Sequence, residues 1–152
     1  MKILSKRFEI LMIAFIWIVF LSFIDVPGRV EGKYFPVITD LDYRIASVED
    51  SQTNIYLDFE KLRNECVFRS VEFYLYEMID GEMEPTIKLD AEFMGREQGR
   101  LSGFHKGVGP WAVRATVNQM LNVSVIIRHR CHGLGWQTIT RYRVLDGTAE
   151  RF

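Results

Sequence analysis

The chain has 152 residues, with 19 Lys and Arg against 20 Asp and Glu, a formal charge of −1. Lys2, Lys6, Arg7 and Glu9 give the first 24 residues a net +2, which leaves −3 on the remainder. This balance excludes a nucleic-acid binder that works by bulk positive charge. The length beyond the N-terminal segment, about 120 residues, suits one domain with one core.

The N-terminus sets an address. Residues 10–24 (ILMIAFIWIVFLSFI), from Ile10 to Ile24, form an apolar run with Ser22 as its polar member. Basic residues precede it and a polar, turn-rich DVPGR follows, the layout of an export signal. Fifteen residues make about 22 Å of helix, short of a hydrocarbon core of about 30 Å. Two readings follow, a short signal-anchor or a cleaved signal. Val26-Pro27-Gly28 and Val30-Glu31-Gly32 put a small residue at the cut without the favoured Ala-x-Ala. That poor exit, with Phe15, Trp17, Phe20 and Phe23 suited to an interface, favours the anchor. Expected are a signal-anchor or signal segment over 1–28, a juxtamembrane linker near 25–33, and an exported domain over 29–152. The basic flank keeps the N-terminus cytoplasmic.

Beyond the linker the pattern is of strands punctuated by turns. Residues 34–38 and 42–48 read as short strands around Thr39-Asp40. Residues 54–62 alternate, with Ile55, Leu57 and Phe59 opposite Tyr56, Asp58 and Glu60. Residues 67–79 alternate again, Asp80-Gly81 supplies a hairpin turn, and 84–93 return. Residues 95–109 read as a glycine-rich loop. Pro110 opens a strand carrying Trp111, Val113 and Ala115, and 118–120 turn. The final hairpin pairs 121–132 with 136–145. A four-residue bend at 132–135 sets Cys131 opposite Trp136, Ile127 opposite Thr140 and Val125 opposite Tyr142. Slipping by one residue would turn Arg141 and Arg143 onto the valine face or set Arg128 against Arg141. The expected fold is all-β, an immunoglobulin/fibronectin-like sandwich preceded by one N-terminal transmembrane or signal helix.

Two cysteines, Cys66 and Cys131, lie beyond the N-terminal run. On the oxidising side of a membrane an even count favours a Cys66–Cys131 disulfide; the alternative is two buried thiols. His129-Arg130-Cys131-His132 is the cluster most suggestive of chemistry. A small hydrolase or a metal-binding protein built on His129, Cys131 and His132 is the alternative to a non-enzymatic reading, and a bridge at Cys131 would remove its thiolate. No cofactor motif is present. Charge is segregated: 122–145 hold Arg128, Arg130, Arg141 and Arg143 and no acid, whereas 72–97 hold eight acids against Lys88 and Arg96. The arginine stripe is the expected binding surface, for an anionic envelope polymer or an acidic protein; two solvated sheet faces are the plainer account.

The segment KLRNECVF at 61–68, Gly109-Pro110-Trp111, and Arg130-Cys131-His132 with Trp136 and Thr138, set behind an apolar N-terminus, resemble small membrane-anchored proteins of tailed phages and proteobacteria. That resemblance implies no activity or functional residue. It implies an envelope setting: single-pass in the inner membrane with a periplasmic domain, or secreted after cleavage. The function expected is a membrane-tethered periplasmic binding or interaction module without catalysis, of phage or proteobacterial origin.

Overall fold

The computed structural model describes every residue except 1, 24, 80–81, 96–100, 132–136, 146–147 and 152. Among the described residues nine strands form two antiparallel sheets. One is four-stranded, in the order β1 (Ile38–Glu49), β2 (Gln52–Lys61), β6 (Gly103–Val113), β5 (Ala91–Phe93). The other is five-stranded, in the order β4 (Glu82–Leu89), β3 (Val67–Ile79), β7 (Asn122–Arg130), β8 (Thr138–Leu145), β9 (Thr148–Arg151). The chain changes sheet after β2, after β4 and after β6, so that each sheet presents its apolar alternation to the other. Ile55, Leu57, Val108 and Val113 meet Phe73, Val123, Val125, Ile127 and Tyr142 in one core. Trp111 packs between Phe73 and Phe93, with ring centroids 6.1 and 4.7 Å away.

The last hairpin has the expected register: Val125 pairs with Tyr142, Ile127 with Thr140, and Arg128 with Ile139. Its bend, with Trp136 and His132, lies outside the described residues. Strands β2 and β3 fall where alternation sets them. Elsewhere the structure corrects the sequence reading. Residues 84–93 are two strands, not one: β4 pairs with β3, and β5 pairs with β6 in the other sheet. Much of the expected glycine loop is β6, because β2 has a second edge to satisfy and β6 supplies its ladder. Glycine serves that strand by letting it approach closely. Gly109 (φ 157°) is so near β2 that a Cβ would stand 2.8 Å from the Ile55 carbonyl. Of the two expected N-terminal strands, 34–38 is not one: Tyr34 closes a helix and only Ile38 enters β1, which then runs through the expected Thr39-Asp40 turn on a bulge at Asp40 (φ 49°). The turn expected at 118–120 belongs to a one-turn helix, α3 (Val117–Met120), closed by a capping box between Thr116 and Gln119.

Two helices precede the sheets, α1 (Lys2–Phe23) and α2 (Asp25–Tyr34). Among the described residues no helix is long and apolar enough to cross a membrane. The exposed side chains of α1 include Phe8, Phe15, Trp17 and Phe20. The expected linker is instead α2, a helix packed on β8, so the boundary drawn between 28 and 29 falls inside a packed element. Glycine permits this. Gly28 and Gly32 are four apart on one helical face. A Cβ on either would stand 1.8 Å from the Gln137 carbonyl oxygen or 1.9 Å from that of Ile139. β9 pairs only with 142–145 of β8. The helix therefore lies against the first half of β8, which β9 leaves uncovered, and protects a strand edge.

Candidate functional site at the disulfide end

One end of the sandwich gathers the start of β1, the end of β2, the start of β3 and the meeting of β7 with β8. Cys66 and Cys131 are bonded there, 65 residues apart in sequence. They flank the Val67–Arg130 pair, so the bridge ties neighbouring strands at the end of one sheet. In an immunoglobulin domain the bridge instead crosses between sheets.

Polar groups surround the bridge. Lys61 is 8% exposed, and its Nζ donates to the Cys66 carbonyl at 3.0 Å. Burial lowers its pKa from the ordinary lysine value. His129 is 4% exposed, with Phe68 edge-on at 6.0 Å. Its Nδ1 is buried with no hydrogen-bond partner among the described residues. Burial, and then the Lys61 charge, depress its pKa to about 4, so at neutral pH the ring is uncharged. Thr138 pairs with His129 across the strands. Its Oγ1 donates to Glu31 Oε2 at 2.8 Å and lies 3.2 Å from Cys131 Sγ. Glu31, from α2, also accepts from Arg63 Nη1 at 2.7 Å. Arg63 in turn reaches Glu65 at 2.8 Å. The N-terminal helix, the β2–β3 connection and the bridge are therefore one hydrogen-bonded unit.

This geometry bears directly on the chemistry that the His-Arg-Cys-His cluster suggests. Cys131 is a disulfide sulfur, so it supplies no thiolate. His132 lies outside the described residues. Among the described residues no group of three His, Cys, Asp or Glu side chains is placed to hold a metal ion. His129 is enclosed between strands beneath Phe68.

The arginine stripe comes together on the outer face of the five-stranded sheet. Arg128 is opposite Ile139, Arg141 opposite Ile126, and Arg143 opposite Ser124. Arg130 ends β7 and is exposed; Arg128, Arg141 and Arg143 are half-buried. The charge segregation in the sequence does not persist in space. β3 lies beside β7, and Glu72 takes Lys88 at 2.6 Å and Arg128 at 3.5 Å. Lys88, foremost among these, holds the Glu72 carboxyl below its ordinary pKa. The Arg143 guanidinium stacks over Tyr76 at 5.0 Å. On the four-stranded sheet Asp58 accepts from the Gly107 amide at 2.6 Å and from Arg44 at 3.0 and 3.2 Å, which lowers its pKa and fixes the β6 bulge. A shallow cleft at the opposite end is lined by Gln52, Asp90, Glu92 and Arg114.

Lys61, Glu31, Arg63 and Thr138 were given no site role by sequence reasoning. The signal that could have found them is Gly28-x-x-x-Gly32 bracketing an acid, a spacing that lets a helix seat closely. Fold and site together define an all-β, two-sheet sandwich, with a disulfide and a docked N-terminal helix at one end. No protein-family model, curated protein or solved structure matches the chain.

Proposed function

We propose that the chain is a membrane-attached, exported binding module without catalysis, built on a sandwich of immunoglobulin/fibronectin-like layout whose bridge has moved to the end of one sheet. The observation that carries this reading is the joining of an exposed apolar helix to a disulfide-bridged domain. A disulfide suits an oxidising compartment. An apolar helix with its side chains turned to solvent suits lipid. The groups nominated for catalysis already have structural roles, Cys131 in the bridge and His129 in the wall beneath Phe68.

Retention is favoured over release. Both candidate cleavage points lie inside α2. A cut after Gly28 would remove the first turn of the helix, and a cut after Gly32 would remove Glu31 with its bonds to Arg63 and Thr138. The resemblance to envelope proteins of tailed phages and proteobacteria points to a periplasmic setting. The outer face bearing Arg128, Arg130, Arg141 and Arg143 is the surface for an anionic envelope polymer or an acidic protein, with Arg130 its most open member.

Fractionation of bacteria expressing the full chain tests this. The protein should stay in the membrane fraction through a high-salt wash, and its cysteines should resist alkylation until reduced. Recovery as a cytosolic protein with two alkylatable thiols would overturn the proposal.

A further inference from the structure

We infer that the disulfide end of the sandwich is a membrane-seating surface that rests on phospholipid headgroups, anionic ones above all. This builds on the membrane-attached reading and adds the face that meets the bilayer.

Chain connection comes first. Phe23 ends α1, and Gly28, five residues on, is buried against β8. Five residues span at most about 18 Å, whatever angle α1 takes. The described apolar stretch of α1, residues 10–23, makes only about 21 Å of helix, so inserting it draws its flanks toward the headgroups. Anchoring α1 therefore brings the disulfide end to the interface, because α2 is clamped there and acts as no flexible spacer.

Surface chemistry is the second argument, independent of the first. Outside α1, the exposed aromatic residues among those described are Tyr34, Phe35, Phe68 and Phe104. All lie at this end. Tyr34 and Phe35 precede the start of β1, Phe68 is the second residue of β3, and Phe104 pairs with Glu60 near the end of β2. Leu62 and Val67 are exposed beside them. Aromatic side chains with a rim of cations are what an interfacial layer accommodates. Arg29, Lys33, Arg69 and Arg130 are exposed around the same end, and Lys106 stands over Phe104 at 5.5 Å. The exposed acids there are Asp40, Asp42 and Glu65, of which Glu65 is held by Arg63. Juxtamembrane cations gain most from anionic lipid.

The test uses the oxidised full chain with vesicles of phosphatidylcholine, alone or mixed with phosphatidylglycerol. Flotation reads attachment, and amide hydrogen exchange reads which end is covered. The chain should float, with exchange over 62–69 and 101–106 slowed by about tenfold on the anionic vesicles, less on the neutral ones, and not at all over 45–54. Phe68→Ser with Phe104→Ser should still float through α1 but lose that slowing, its fold checked by the retained disulfide. Flotation without added protection at 62–69 and 101–106 would overturn the seating surface and leave α1 attachment standing. Absence of flotation would overturn both, and equal slowing at the two ends would overturn the assignment of this face.

Discussion

Gly32 lies with its Cα against the main-chain carbonyl of Ile139, where a Cβ would stand 1.9 Å from the oxygen. Gly28 meets Gln137 in the same way at 1.8 Å, one turn earlier. No side-chain rotation relieves a clash between Cβ and backbone, so helix or strand must move. Gly32→Leu should lower the stability of the detergent-solubilised full chain by about 2–3 kcal/mol and open 25–35 to proteolysis. An unchanged denaturation midpoint and cleavage pattern would show that α2 does not need this approach.

Glu31 fixes the same helix by charge. Its side chain is 15% exposed and that of Arg63 is 23%, so the pair is only partly screened. Removing one member leaves the other desolvated. Glu31→Gln should cost about 1–2 kcal/mol, discounted for the remaining solvent access. A double-mutant cycle with Arg63→Met measures the coupling. Additive effects would mean that Thr138, not Arg63, is the partner that matters.

These contacts mark the limit of what the sequence made legible. β7 and β8 could be read to the residue, because their alternation and four arginines forbid a slip of one. α2 could not. DVPGRVEGKY holds a proline and two glycines, poor helix formers, and only the carbonyls of β8 give those glycines a purpose. β6 was hidden for the same reason, since its glycines read as a loop until β2 is set beside it. The arginine and acidic stretches are distinct in sequence, yet the β3–β7 pairing puts Glu72 beside Arg128. The cysteine pair was legible from count and compartment. Its place within one sheet was not, because connectivity between sheets is a tertiary property.

His129 sets a pH dependence. Its pKa is about 4 in the folded chain against the ordinary histidine value of 6.5, so the unfolded state binds the extra proton between those limits. Stability is then fully present above pH 6.5 and lost as pH falls toward 4, by about 3 kcal/mol in all. Glu72 and Asp58 have lowered pKa values, and their contributions are lost only below the ordinary carboxylate range. The interval above pH 4.5 therefore isolates the histidine. Denaturant midpoints from pH 7 to 4.5 should fall in the natural chain and stay flat in His129→Gln. A fall of equal size in the variant would assign the dependence to another group.

Glu72 offsets part of the positive charge of the outer face, through Lys88 and Arg128. Glu72→Gln should release Lys88 and Arg128, cost about 0.5–1 kcal/mol in stability, and lengthen retention on a sulfated-polysaccharide column at low salt. Arg130→Glu should shorten retention without a stability change, since Arg130 is exposed. Retention that ignores both changes would leave this sheet face solvated and without a polyanion partner.

The bridge is the last element to test, because the rest of its end hangs from it. Closing a loop of 65 residues between Cys66 and Cys131 restricts the unfolded chain, and the loop-closure relation puts that near 4 kcal/mol. The Cys66 carbonyl also takes the Lys61 ammonium, and Cys131 Sγ lies beside the Thr138 hydroxyl that holds Glu31. Losing the bridge should therefore loosen α2 as well as lower global stability. Cys66→Ser with Cys131→Ser should match the reduced natural chain, be insensitive to reductant, and exchange amides over 25–37 faster than the oxidised protein. A natural chain whose denaturation midpoint is indifferent to reductant would exclude this stabilising role for the disulfide.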